Sequence, residues 1–553
     1  MKNKDIILTP TRKQVNDLDK LPVYDRSLVD YSKYNKTIGH AGVKYSMAVQ
    51  ATRGCPYRCF YCDVYKTTLH HFRRSVDSIY DEVKMIADMG VKRIEFIDDI
   101  FNVKAKDFVG FFNRVIQDNL DVSFFFPTAL KGDLLTKEVI DVMMQGGAVG
   151  VNVSLESASP RMQKVMRKNL DIEKFRENLE YICKSYPEAV TTLNTMHGFP
   201  TETEEEAMMT LDFIKSMKWI HFPYTHIVRI FPGTDLEKFA LNHGVARNAI
   251  NESIDKSYHQ VTPTLPFSDE FTNKYKLTFL KDYVLNKERL LKILPVQMKH
   301  FTEDEINQRY QSYFPGKVNG IQDVLKMAGI PKDQIKLNFL EEKQIVIKDL
   351  EKKISKNFVT KKKNVNAVKV LLINISTHFT KDKGVSEYDV LEPPLGLIAL
   401  LTYLNKRFNE KIRGKIIKSR IDFDSYEELD KSIKDFDPDI IGVSSMTFHK
   451  DFFHQAIQSI RENGFEKTIV VGGPYPTTSY NEVLEDHNID IGVIGEGEVT
   501  LSEIIEKFIG NDRKKLSYDD LIKLNGIAFS EKTVTNVNSK HKLDQINNLS
   551  QRA

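Results

Sequence analysis

Apolar positions along this chain switch repeatedly between two spacings. Val76, Ile79, Val83 and Ile86 recur every three or four residues, which predicts an amphipathic helix over residues 75–89. Residues 91–97 then form a short apolar run ending in Asp98-Asp99, as a buried strand would. The unit repeats, with helical spacing at 106–117 and 137–144 and strand-like runs at 122–126 and 149–155. Further strands are expected at 191–196 and 224–231, each after a helix, and one at 45–52 ahead of them all. Strands alternating with helices predict parallel pairing in an α/β sheet.

From about Asp235 to Ile354 the pattern turns charged and mainly helical, interrupted by Pro295, Pro315 and Pro331. A helix is expected over 333–354, running into a solvated linker at Lys361-Lys362-Lys363. A second alternation follows, with strands expected at 368–374, 440–444, 469–474 and 491–494 and helices at 395–408 and about 456–463. Short apolar runs ending in Gly or Ser between helices predict a doubly wound parallel sheet.

At 553 residues the chain is too long for one core. Its 41% hydrophobic and 28% charged residues are ordinary for a globular protein. A net charge of +3 makes no case for nucleic acid or an acidic membrane surface. No apolar run reaches bilayer length and residues 1–5 lead into no signal-peptide core, so the cytoplasm is the expected compartment, where thiols stay reduced.

That compartment sharpens the meaning of the cysteines. Three of the four, Cys55, Cys59 and Cys62, fall in Arg53-Gly54-Cys55-Pro56-Tyr57-Arg58-Cys59-Phe60-Tyr61-Cys62. Thiolates are the ligands of iron–sulfur clusters, and three of them leave one iron of a four-iron cubane open. Structural zinc would need a fourth ligand, and the usual paired Cys-x-x-Cys layout is missing. A disulfide framework does not suit a long chain without a signal peptide. The fourth, Cys183, sits near Leu179 and Ile182 on an apolar helix face and reads as a buried structural thiol.

The cysteine segment resembles the signature of the radical S-adenosylmethionine (SAM) superfamily. The resemblance implies that SAM chelates the open iron through its amine and carboxylate. Reductive cleavage then gives a 5′-deoxyadenosyl radical that abstracts hydrogen from substrate. Tyr61 matches the aromatic position lying against the adenine. Four further stretches match in order. Glu95-Phe96-Ile97-Asp98-Asp99 implies Glu95, Asp98 and Asp99 near the SAM amine, and residues 152–157 imply Ser154 and Glu156 at its ribose and carboxylate. Residues 196–203 imply Gly198 beside the adenine, and 229–234 imply Arg229 at the sixth strand's end. Carboxylates suit a cationic, amine-bearing ligand. The plainer readings are that Asp98 and Asp99 cap the next helix, that Gly198-Phe199-Pro200 is a turn, and that His197 is a hydrogen-bonded structural histidine. The implied fold is a partial (β/α)6 barrel with ligands at the carboxyl ends of its strands.

The second unit resembles the cobalamin-binding domain of the cobalamin-dependent radical SAM class. The resemblance rests on Pro394, Leu395 and Gly396, on Ser444 and Ser445, on Gly472 and Gly473, and on Gly495, Glu496 and Gly497. The Asp-x-His-x-x-Gly fingerprint is absent; His378 lies in the corresponding loop without the pattern, so no histidine is expected on cobalt. A flavodoxin-like sheet binding nothing is the alternative. The order is also unusual, because the cobalamin domain normally precedes the barrel. Residues 17–26 look like the linker that joins the two, and residues 525–529 with Leu543-Asp544 and Asn548-Leu549 look like the start of that same linker.

The expected organisation is α/β throughout. It comprises a linker-like extension (1–40), a barrel (41–240), a helical region and linker (241–365), a Rossmann-like cobalamin-type domain (366–512) and a C-terminal extension (513–553). The expected activity is cobalamin-dependent methyl transfer to an unactivated carbon, using a [4Fe–4S] cluster, SAM and cobalamin. The alternatives are a radical cyclisation or rearrangement, or a C-terminal domain that carries cobalamin for a partner radical SAM protein. Expected partners are a small-molecule or peptide substrate and an electron donor such as flavodoxin or ferredoxin. No individual catalytic residue is legible.

Overall fold

A computed structural model describes residues 5–36, 46–254, 256, 259–341, 353, 366–375, 378–382 and 391–531. In chain order the strands are β1 (Ile6–Leu8), β2 (Met47–Val49), β3 (Thr52–Arg53), β4 (Phe72–Arg73), β5 (Arg93–Phe96), β6 (Ser123–Leu130), β7 (Ala148–Glu156), β8 (Val190–His197), β9 (Phe222–Ile227), β10 (Val368–Ile375), β11 (Ile412–Lys418), β12 (Ile440–Ser445), β13 (Thr468–Gly472), β14 (Ile491–Val493) and β15 (Ile527–Ser530).

Six of them, in the order β2-β5-β6-β7-β8-β9, pair in parallel and curve into the partial barrel. Phenylalanines hold its outer face. Phe96 stacks on Phe101 at 4.4 Å and meets Phe111 edge-on at 5.3 Å, and Phe124 meets Phe112 at 5.5 Å, fixing the helix Ala105–Gln117 against β5 and β6. The inner face is polar, with Asn194 donating to Asn152 at 2.8 Å and to Ser154 at 3.5 Å. Helices of the 241–341 region plug the amino ends of the strands. There Phe301 stands edge-on to Phe125 and Phe222, at 5.9 and 5.6 Å. The carboxyl ends are left for ligands.

Three expectations change. The strand expected at 45–52 shrinks to β2, because Thr52 and Arg53 leave the sheet to pair antiparallel with β4; Tyr45 is outside the described residues. The strand expected to reach Phe231 ends at Ile227. Over 333–341 the chain is turn and irregular backbone instead of helix, since Leu337, Phe339 and Leu340 pack onto the barrel core and Leu340 donates its N–H to Phe301 O. The remainder of that expected helix, Lys353 aside, and Lys361–Lys363 lie outside the described residues.

The second sheet has the order β1-β15-β14-β13-β12-β10-β11. Strands β10 to β14 are parallel, and β15 runs antiparallel to both β14 and β1. Alternation along β10 makes it doubly wound. Val370 and Leu372 face the helices Leu395–Phe408 and Gly497–Gly510, whereas Leu371 and Ile373 face Tyr426–Phe436 and Lys450–Glu462. Strands β1 and β15 come from the stretches set apart as 1–40 and 513–553, so both ends of the described chain complete this sheet. Among the described residues no helix is long and apolar enough to cross a membrane.

The N-terminal segment ties the two halves together. Arg12 donates to Thr500 at 2.8 Å and pairs with Glu503, and the Asp25 N–H donates to Thr402 at 2.9 Å. Arg26 enters the barrel fully buried, donating to Glu82 and to the Ala48 carbonyl, both at 2.7 Å. Glu82 also pairs with Arg74, so removing Arg26 takes away buried charge-assisted hydrogen bonds without stranding the carboxylate. Arg26→Met should therefore cost about 2–3 kcal/mol in urea unfolding. A loss below about 1 kcal/mol, the range of surface pairs, would show that the anchor is dispensable.

Candidate active site

The short β3–β4 hairpin carries the cysteine loop. At its base Gly54 has φ +77°, and a Cβ there would sit 2.3 Å from the His70 carbonyl oxygen, so only glycine fits. Phe60 pins the centre of the loop. Its N–H donates to Met166 O at 3.0 Å, its carbonyl accepts from Leu236 N at 2.8 Å, and its buried ring packs on Phe199 and Phe239. Lys66, just past the loop, donates to Gly233 O and pairs with Asp235 at 3.2 Å. With its middle held, the loop presents Cys55, Cys59 and Cys62 as free, partly exposed thiols.

Burial pushes the Cys55 thiol up to about 11 and Cys62 to about 12, and each thiolate would repel its neighbours. Such thiols ionise when a metal compensates the charge. Among the described residues no group of three or more His, Cys, Asp or Glu side chains is drawn together tightly enough to hold a single metal ion. Three neighbouring soft sulfurs suit three irons of a cubane. Cys183 is partly buried in the helix Ile172–Ser185, its thiol pushed up to about 12 by burial.

Around the loop, the expected SAM residues divide by direction. Asp99 accepts the Gly54 N–H at 2.9 Å and faces a cavity. Asp98 turns inward, accepting the Thr52 N–H and, at 2.6 Å, its hydroxyl. Neither caps the following helix, whose N-cap is Lys104. Burial raises the Asp98 carboxyl to about 7. Glu95 is buried two residues from Arg93, whose charge it balances. Glu156 accepts from Tyr61 at 3.3 Å and Lys168 at 2.8 Å. It follows a register shift at Ser154 and holds φ +64°, a conformation that costs about 1–3 kcal/mol outside glycine.

Gly198, at φ +91°, and Phe199 donate their N–H groups to Glu202, at 2.6 and 3.2 Å, within a turn. Glu202 was missed from sequence; burial raises its carboxyl to about 8. Arg229 is buried and donates to the carbonyls of Lys256, Ile227 and Gln260. His197 is buried, bonded to the His226 backbone and stacked on Tyr275 at 4.5 Å, and burial holds it neutral at about 3.

A cavity of about 450 Å³, within the usual range of ligand pockets, lies where the two halves meet. Gln50, Arg53, Thr67, Thr68, Ile97 and Asp99 form its barrel wall, with Tyr24 at the edge. Pro394, Leu395, Gly396, Ser444, Gly472, Gly473, Gly495, Glu496 and Gly497 line the other wall, at the carboxyl ends of the second sheet. Ser445, grouped with them from sequence, is not in the lining. As the next residue along β12 it points the other way, buried, and donates to Ile375 O at 2.8 Å. Gly473 allows the close approach: it has φ +97°, and a Cβ would sit 2.7 Å from Ser444 Oγ. His378 lies 3.4 Å from His449, and neither lines the cavity. The barrel wall went unread from sequence, above all Arg53, which reaches Glu498 at 2.6 Å and Glu496 at 3.5 Å.

Comparison with known proteins agrees with this division. Residues 49–214 match the family described as Radical SAM superfamily, and residues 383–505 match the B12 binding domain. The chain thus carries a radical SAM domain followed by a B12-binding domain, the two units expected and in the expected order. The cofactors that go with them are a [4Fe–4S] cluster, SAM and cobalamin.

Among curated proteins, the chain is 26% identical over 280 residues to an uncharacterized methyltransferase of Pyrococcus horikoshii, covering 50% of this chain and 57% of the relative. It is 27% identical over 216 residues to a tRNA-2-methylthio-N(6)-dimethylallyladenosine synthase of Aquifex aeolicus, covering 37% and 47%. The chain spans about half the length of the curated relatives it matches. Among solved structures, it is similar to the radical SAM methyltransferase TsrM of Kitasatospora setae with cobalamin and a [4Fe–4S] cluster bound (TM-score 0.34, 19% identity, 39% of each chain). It is also similar to OxsB with aqua-cobalamin and SAM bound (TM-score 0.35, 11% identity, 56% of this chain and 53% of that one).

The inward turn of Asp98 has a pH signature. Its folded value of about 7 stands above the ordinary 3.8, so between those values the folded protein keeps a proton that the unfolded chain has released. Stability contributed by this group is therefore lost as pH rises through that window. Asp98→Asn should flatten the fall in urea midpoint from pH 5 to 7.5; parallel curves for variant and wild type would refute the assignment.

Proposed function

We propose that this chain is a radical SAM enzyme that uses cobalamin to transfer a methyl group to an unactivated carbon of its substrate. The observation that carries the reading is the shared cavity: its two walls come from the cysteine-loop side of the barrel and from the glycine-rich strand ends of the second sheet. In this reading Cys55, Cys59 and Cys62 hold the cluster, and Tyr61, Asp99, Ser154, Glu156 and Gly198 border SAM. Gly396, Ser444, Gly472, Gly473, Gly495 and Glu496 receive the corrin. When bound, the cluster and SAM supply a substrate radical and methylcobalamin supplies the methyl group.

The chain's own part is placement. Phe60 fixes the loop that offers the thiols, Asp99 sets the height of its base, and Glu156 holds the Tyr61 hydroxyl. With His378 outside the lining, no histidine stands among the described residues of this cavity. Because the chain's own barrel supplies one wall, the cavity favours cobalamin serving this barrel over carriage to a partner protein. An electron donor of the flavodoxin or ferredoxin kind and a small-molecule or peptide substrate complete the proposal.

Metal content tests it directly. After anaerobic reconstitution, incubation with hydroxocobalamin and gel filtration, the wild type should hold about four irons and one cobalt per chain. Cys59→Ala should lose the iron. Gly396→Leu is the sharper variant, since a Cβ at Gly396 meets nothing within 4 Å and the added side chain projects into the cavity. Gly396 is the second residue of the helix Leu395–Phe408 and does not hold a positive φ, so a side chain there does not strain the backbone. Gly396→Leu should keep its iron and its melting temperature while losing cobalt. Full cobalt in that variant would move cobalamin out of this cavity.

A further inference from the structure

The barrel wall of the cavity is built largely from residues tied to the cysteine loop. Gln50 and Arg53 precede the loop, Thr67 and Thr68 close it, and Asp99 holds Gly54 at its start. Arg53 then crosses to the opposite wall, donating to Glu498 Oε1 at 2.6 Å, with Glu496 Oε1 3.5 Å away. The Arg53 side chain is 11% exposed and Glu498 7%, so the pair is largely shielded from water.

The lever is short. One residue, Gly54, separates Arg53 from Cys55, and there the hairpin leaves no room for a side chain, since a Cβ would meet the His70 carbonyl oxygen. A ligand that fixes the three thiols therefore fixes Arg53, Thr67 and Thr68 with them. Metal binding orders the segment that supplies its ligands. A second ligand needing the same order then binds with that entropy already spent.

Building on the cobalamin reading above, we infer that Arg53 is a positioning residue coupling the two cofactor sites. Filling the three-cysteine site orders the wall that Arg53 latches to Glu498 and Glu496, and so tightens cobalamin binding in the cavity. The coupling is reciprocal, so bound cobalamin also favours retention of the cluster.

The test is the dissociation constant of hydroxocobalamin, measured anaerobically on the full chain before and after cluster reconstitution. In the wild type, reconstitution should tighten binding about fivefold or more. Removing one partner would strand a buried charge, so the informative variant is the double one, Arg53→Gln with Glu498→Gln. It should bind cobalamin with a ratio between the two states of no more than about twofold. Arg53→Lys keeps the charge but loses the forked reach, and should give an intermediate ratio. Iron content and the visible cluster band of each variant, which a mere fold defect would lower, should match the wild type.

A wild-type ratio near one overturns the inference, as does a full wild-type ratio in both variants. If the double variant fails to retain iron, Arg53→Lys decides alone, and its full ratio overturns the coupling. Wild-type protein that binds no cobalamin in either state contradicts the cofactor assignment itself, whereas cobalamin bound equally in both states sinks only the coupling.

Discussion

Two adjacent carboxylates at the end of β5 set the geometry on which the site depends. Asp98 turns into the fold and grips Thr52 through its N–H and hydroxyl, and Asp99 turns outward and takes the Gly54 N–H. Together they hold the chain that has left the barrel sheet after Val49 and aim the cysteine loop across the strand ends. An unpaired buried carboxylate is costly, yet Asp98 Oδ2 has no partner. The fold tolerates this by keeping the group protonated nearer neutrality than an ordinary aspartate. Local stability is given up where the loop must be held in one place.

From that base the rest of the architecture follows by closure. The loop is gripped at its centre by Phe60 and past its end by Lys66, and its first residues face a second, doubly wound sheet. Segments far apart in sequence hold the two units together. The N-terminal stretch contributes β1 to the second sheet and Arg26 to the barrel, and its Tyr24 packs in the second unit's core at the cavity edge. The cavity is thus a property of the assembled chain, with neither unit supplying both walls. Ligands at the carboxyl ends of parallel strands are the rule for both architectures, and here the two sets of strand ends face one another.

Much of this was legible because it is local. The Cys-x3-Cys-x2-Cys spacing, the switching between helix and strand periods and the glycine-terminated strands each need only a few consecutive residues, and the helix Leu395–Phe408 was read to the residue. What failed was direction and distance. The motif pattern gives Asp98 and Asp99, like Ser444 and Ser445, one shared role, although neighbouring residues on or just past a strand point to opposite sides. The Arg53–Glu498 bond spans 445 positions, and β1 pairs with β15 across most of the chain; no short-range pattern encodes either. The expected helix over 333–341 was lost to tertiary packing, with Leu337 and Phe339 drawn onto the barrel.

The central claim is that a cluster on the cysteine loop, whose flanking residues Arg53, Thr67 and Thr68 line the cavity, lies close to cobalamin held in that cavity within one chain. Electron paramagnetic resonance on the doubly loaded protein, with the cluster reduced and the cobalt in its paramagnetic divalent state, reads that proximity directly. The account predicts spectra in which the two signals broaden or split each other, an effect absent when either cofactor is left out. Two independent signals that simply add would place the cofactors apart and contradict it.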